Sequence, residues 1–222
     1  MKVIELHKSV TASNDRDAQV LRDELKEKGV FFVNLMSAAG SGKTTLLLKT
    51  IEDLREEYKI AVLEADIEAD VDALKIEESG ARSIQVHTDG MCHMDAGMTR
   101  TGLEEMGLEG MDLVFLENIG NLICPAEYDT GASKNVMILS VPEGDDKPLK
   151  YPLMFQNSDV LLVTKIDALP YFNFDMKKMQ ERVRFLNPDI RIIPVSAKKG
   201  EGMKEWEDWL EEQIALWKAP HA

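Results

Sequence analysis

Ser37-Ala38-Ala39-Gly40-Ser41-Gly42-Lys43-Thr44 follows a short apolar run, Phe31–Met36, and opens a segment with helical periodicity that runs to about Glu57. A loop built to hold phosphate has a glycine, four residues, Gly-Lys and then Ser or Thr. The chain keeps the second half of that pattern and places Ser37 at the first glycine. Glycines let backbone amides turn onto phosphate oxygens, and the following helix adds the positive end of its dipole. The spacing predicts that Ala39, Gly40, Ser41, Gly42, Lys43, Thr44 and Thr45 cradle a polyphosphate. Lys43 would reach the β- and γ-phosphates, and the Thr44 hydroxyl would ligate Mg²⁺.

Two later segments bear on the base. Thr164-Lys165-Ile166-Asp167 ends the apolar run DVLLVT, where a base-reading loop of Asn-Lys-x-Asp type belongs, with Thr164 in place of the usual asparagine. The Asp167 carboxylate can accept from both N1–H and the exocyclic amine of guanine. Adenine offers no such donor pair and would leave those acceptors unmet. Lys165 would lay its stem along the base, and Ser196-Ala197-Lys198 fits the companion loop beside the guanine oxygen. Together these predict GTP/GDP rather than ATP.

Acidic residues stand where strands should end. Asp66 closes Glu64-Ala65-Asp66, Asp70 and Asp72 follow, and Glu117-Asn118-Ile119-Gly120 closes MDLVFLE. A carboxylate at such a point can hold Mg²⁺ directly or through water. Lys43, Asp66 and Glu117 are therefore the expected catalytic set, with Gly120 leaving room for the γ-phosphate. Asp70 and Asp72 read equally well as a solvated acidic loop.

Both cysteines lie in unusual company, in Met91-Cys92-His93-Met94 and Ile123-Cys124-Pro125. Thiolate and imidazole suit Zn²⁺ and Ni²⁺ better than Mg²⁺. Three donors leave a tetrahedral site one short, a gap that water or a second protomer could fill. Two isolated cysteines are also commonly buried hydrophobes. The feature that favours a metal is Cys124, four residues after Gly120, which ties one donor to the expected phosphate sensor. His87 reads as structural or as a neighbour of the metal loop rather than a ligand, and the methionines near Cys92 as core.

These residues need a scaffold that presents strand ends on one side. Short apolar runs at 31–36, 59–64, 83–87, 112–117, 135–141, 159–164 and 190–195 alternate with helical patterns such as Asp175–Phe185 and Met203–Trp217. That rhythm predicts an α/β fold, a mostly parallel sheet flanked by helices, with ligands at the carboxyl ends of the strands. The 222 residues suit one domain, 1–222, with 1–30 as an N-terminal helical extension. In that extension Val20, Leu21 and Leu25 are spaced for an amphipathic face, and an interaction arm is the other reading. Trp206, Trp209, Leu210, Ile214 and Trp217 form a stripe expected to be core.

A net charge of −14 argues against a nucleic-acid or anionic-membrane surface, since phosphate backbones demand clustered cations. It leaves room for one small phosphate ligand. The start, MKVIELHKSV, is too polar for a signal peptide, so a cytoplasmic location is expected.

With the motifs assembled, the chain resembles the HypB family of GTPases, which assist nickel insertion during [NiFe]-hydrogenase maturation. The likeness runs through NLMSAAGSGKTTLL, EADIEADVDA, GMCHMDAGM, ENIGNLICPAEYD and above all SVPEGDDKPLKYPLMF. It implies a P-loop NTPase fold of the SIMIBI class and a homodimer when GTP is bound. It also implies a Ni²⁺ or Zn²⁺ site at the dimer interface from residues matching Cys92, His93 and Cys124. The implied partners are the nickel metallochaperone HypA and the hydrogenase large-subunit precursor. Ala39 stands where many members have proline, and Gly97 where many have histidine, removing one candidate ligand. No Cys-rich or His-rich stretch precedes Asn14, so nickel storage is not expected. Lys147 and Lys150 could reach nucleotide across a dimer, or serve surface ion pairs.

Three other readings compete. A UreG-like GTPase would have histidine at position 126, where this chain has Ala126. A metal carrier with structural nucleotide would lack turnover. A small-molecule kinase is disfavoured by the two base-reading segments.

Overall fold

The computed structural model describes residues 6–66, 76, 78–88 and 90–219; the side chains of residues 6–10 and 66 are outside that description. Seven parallel strands form one sheet in the order β3-β2-β4-β1-β5-β6-β7. They are β1 (Phe31–Ser37), β2 (Ile60–Asp66), β3 (Arg82–His87), β4 (Leu113–Gly120), β5 (Lys134–Ser140), β6 (Val160–Thr164) and β7 (Arg191–Pro194). Each coincides with an expected strand to within a few residues. β1 is buried along its whole length, as a central parallel strand covered on both faces must be.

Helices cover both faces. On one, α2 (Lys43–Leu54) and the last helix, α7 (Met203–Lys218), pack over Phe31, Val33 and Leu35. The Trp206 indole donates to Thr50 Oγ1 at 3.0 Å, locking α7 onto α2. On the other face, α1 (Leu6–Glu27) and α3 (Ala96–Met106) close over Phe32, Leu63 and Leu116. Beside them α5 (Pro152–Gln156) and α6 (Met176–Leu186) bury Met154, Phe155, Met179 and Val183 against Met137 and Leu161. The short α4 (Lys147–Lys150) precedes α5.

Several details differ from expectation. The buried stripe of α1 is Ala18, Leu21 and Leu25, while Val20 is half exposed. Those three are spaced i, i+3, i+7, which puts Val20 on the outer side. β4 continues through Asn118-Ile119 to Gly120, which pairs with Ser37 after an extra residue in β4. Three polar side chains also cross the sheet interior. Asn118 donates to Asn34 and Asn34 to Asn135, each at 3.0 Å, so no amide in this ladder is stranded among apolar neighbours.

Candidate nucleotide cleft and thiol pair

The loop after β1 turns into α2 through Gly42, whose φ of +97° excludes most other residues at the helix N-cap. Lys43 is buried, and its ammonium donates to the Ser37 hydroxyl at 2.9 Å. Ser41 donates to the same oxygen at 2.6 Å. The serine that departs from the glycine pattern thus braces the loop from inside. Thr44 Oγ1 donates to Glu117 Oε1 at 2.8 Å, uniting the start of α2 with β4.

A cleft of about 630 Å³ opens above these groups, from Ala39 to Thr45 on one side and Glu64, Glu117 and Lys165 on the other. Glu64 was not singled out in the sequence. It pairs in register with Glu117 and is almost fully buried, so two carboxylates face the phosphate loop. IAVLEAD carries no alternation that marks Glu64, because β2 is buried on both faces from Ile60 to Ala65. Asp66 ends β2 opposite His87, but its side chain, with Asp70 and Asp72, falls outside the described residues. Hydroxyl and carboxylate oxygens at Thr44 and Glu117 are donors of the hard type Mg²⁺ prefers.

Gly120 lines the cleft and also meets the phosphate loop. A Cβ there would lie 2.9 Å from both Cα and N of Ala39, so the end of β4 rests directly on the phosphate loop.

At the far end of the cleft, Thr164 Oγ1 donates to the Ser41 carbonyl and Lys165 Nζ to the Gly40 carbonyl, both at 2.7 Å. Lys165 holds a left-handed backbone, φ +59°, uncommon for a residue with a side chain. Ser196 Oγ donates to Asp167 at 2.8 Å and holds that carboxyl below its usual pKa range. Ser196 is buried, Ala197 half-buried and Lys198 exposed. Lys150 is ion-paired with Asp146, and the Lys147 ammonium lies 5.6 Å from the Tyr151 ring centre.

The two cysteines, 32 residues apart, come together. Cys92 Sγ lies 2.7 Å from Cys124 Sγ, and with His93 the three donor atoms fall within 4.8 Å of one another. Cys92 and His93 sit between β3 and α3, whose N-cap Asp95 accepts from Met98 N at 2.8 Å. Cys124 opens a 3-10 turn, Cys124–Ala126, just beyond β4. The His93 ring stacks on Tyr128 with centroids 3.8 Å apart. Burial lowers the His93 pKa, favouring the neutral imidazole a metal needs. The adjacent Cys92 sulfur, and then burial, push the Cys124 thiol up, which a bound cation would reverse. Asn14 of α1 steadies both segments, accepting from Ala96 N and donating to the Asp129 carbonyl. His87 is exposed at the end of β3 and outside this cluster.

A fully parallel sheet, a Gly-Lys-Thr loop between β1 and α2, and Thr-Lys-Ile-Asp and Ser-Ala-Lys segments after β6 and β7 are the features of a P-loop GTPase of the SIMIBI class. The family model described as "CobW/HypB/UreG, nucleotide-binding domain" matches residues 31–194. The chain belongs to the HypB family of hydrogenase maturation factors. It is 46% identical over 214 residues to the hydrogenase maturation factor HypB of Azotobacter chroococcum mcd 1, covering 96% of this chain and 70% of that one. The crystal structure of HypB from Helicobacter pylori in complex with nickel superposes with a TM-score of 0.86 at 34% identity, covering 95% and 99%. The signal recognition particle 54 kDa protein of Aeropyrum pernix K1, in complex with GDP, shares the fold alone, with a TM-score of 0.57 at 16% identity, covering 96% and 57%. No helix among the described residues is long and apolar enough to cross a membrane.

Proposed function

We propose that the chain is a cytoplasmic GTPase whose nucleotide state governs a nickel site during [NiFe]-hydrogenase maturation. Gly40, Gly42 and the first turn of α2 present amides to the phosphates, and Lys43 leaves Ser37 to neutralise the β- and γ-oxygens. Thr44, Glu117 and Asp66 hold Mg²⁺, which supplies charge neutralisation at the transferred phosphoryl group. Asp167, steadied by Ser196, reads guanine's two donors while Lys165 backs the base.

Cys92, His93 and Cys124 take Ni²⁺ as cargo, or Zn²⁺ in its place, and a second protomer completes the donor set. The homodimer forms with GTP, receives nickel from a metallochaperone of the HypA kind and passes it to the hydrogenase large-subunit precursor. We read the described chain as one domain with α1 as its extension. The observation that carries this account is the short link from Gly120, seated on Ala39, to Cys124, whose sulfur meets Cys92.

Phosphate release from GTP tests it. Lys43→Ala should abolish turnover, while Cys92→Ala should keep turnover and lose metal. Turnover surviving in Lys43→Ala would move the activity elsewhere, and metal binding undisturbed in Cys92→Ala would remove the thiol site.

A further inference from the structure

The segment between the phosphate loop and the thiol pair is only a few residues long, and one side chain in it touches both metal-loop segments. Asn121 follows Gly120. Its Nδ2 donates to the Cys92 carbonyl at 3.3 Å, and its Oδ1 accepts from Ile123 N at 2.9 Å. The backbone is drawn tight here, with Asn121 N donating to the Ile119 carbonyl at 2.7 Å. One carboxamide therefore holds the turn carrying Cys124 with its oxygen, and the strand-to-helix loop carrying Cys92 with its nitrogen.

We propose that Asn121 is a positioning residue that sets the spacing of the Cys92 and Cys124 sulfurs and couples it to the phosphate loop through Gly120. The inference rests on the reading of the thiol pair as a nucleotide-linked nickel site. The physical basis is steric. Gly120 lies so close to Ala39 that not even a Cβ fits between them, so a shift of the phosphate loop toward β4 displaces the end of that strand and the residue after it. Asn121 then moves both loops at once, because each is hydrogen-bonded to the same planar group. A ligand or a metal that prefers one spacing must, by linkage, favour the matching state of the other site.

Two variants remove the amide's contacts, one in part and one in full. Asn121→Asp keeps the acceptor for Ile123 N and removes the donor to Cys92. Asn121→Ala removes both. Each is titrated with Ni²⁺ alone, in GDP and in a non-hydrolysable GTP analogue, reading the thiolate-to-nickel charge-transfer absorbance, with thermal melting as a check on folding. Couplings of this kind amount to roughly 5–150-fold between states in the unaltered protein, and both variants should bring that ratio to within about twofold of one while shifting the absorption band. Variants that keep the full ratio and an unshifted band would overturn the role of Asn121. Unaltered protein with no thiolate band would instead bring down the nickel-site reading, and the inference with it, before either variant is made.

Discussion

The Thr164 hydroxyl donates to the Ser41 carbonyl at 2.7 Å, joining the end of β6 to the phosphate loop 123 residues away. Threonine at a position where an asparagine is usual thus keeps a bridge between the loop after β6 and the Gly-Lys-Thr loop after β1. Both groups are buried. Thr164→Val keeps the shape and leaves the Ser41 carbonyl unsatisfied, at a cost of about 1–3 kcal/mol. GDP and GTP affinity should fall together, by roughly tenfold. Thr164→Asn should recover most of it. Fluorescent-nucleotide titration checks this, and unchanged affinity in Thr164→Val would mean the bridge does not hold the cleft.

Asp167 is half-buried and depressed in pKa by Ser196, so it stays ionised well below neutrality. Asp167→Asn replaces an acceptor with a donor. Guanine nucleotides should bind about 10²-fold more weakly or worse, and xanthine nucleotides, which carry a carbonyl in place of the amine, should bind better. A competition assay between GDP and xanthosine diphosphate reads the switch directly. Retained preference for GDP would place base recognition elsewhere.

The contact between Gly120 and Ala39 predicts asymmetric damage. Gly120→Ala puts a methyl group 2.9 Å from backbone, an overpacking of about 1–3 kcal/mol that only movement of the phosphate loop can relieve. Nucleotide affinity should therefore suffer more than global stability. Calorimetric binding alongside thermal melting separates the two. Equal losses in both would show that the strain spreads through the sheet instead.

Glu207 on α7 faces Asp53 on α2, and burial, reinforced by that neighbouring carboxylate, pushes its pKa to about 7. The unfolded chain releases this proton near 4.5. Between those values the folded state binds the extra proton, so this group's contribution is full below 4.5 and is lost as pH rises through 7. Glu207→Gln should flatten that part of the profile and raise the melting temperature above neutrality. A melting series from pH 4.5 to 8 checks it, and a parallel profile in the variant would contradict the assignment.

Much of the scaffold could be read directly. Runs such as FFVNLM and DVLLV are apolar on both sides of the strand, which only a sheet covered on both faces tolerates, and Gly-Ser-Gly-Lys-Thr-Thr marks its own turn. What stayed hidden depends on partners distant in the chain. Glu64 looks like a surface charge until β2 pairs with β4 and sets it beside Glu117. Ser37 looks like a defect in the glycine pattern until Lys43 and Ser41 fold back onto it. Asn34, Asn118 and Asn135 carry no signal of their own in the sequence, and only the order β4-β1-β5 makes them a ladder. The likeness to HypB pointed to Cys92, His93 and Cys124, but the role of Asn121 needs the two loops side by side.

Everything proposed above turns on coupling between nucleotide state and the thiol site. The direct test is titration of the purified protein with Ni²⁺ and with Zn²⁺, in GDP and in a non-hydrolysable GTP analogue, while molecular mass is monitored. A nucleotide-dependent shift in metal affinity that accompanies dimer formation, and disappears in Cys92→Ala and Cys124→Ala, is the predicted result. Tight nucleotide binding with identical metal affinity and mass in both states would contradict it and leave a GTPase whose cysteines are structural.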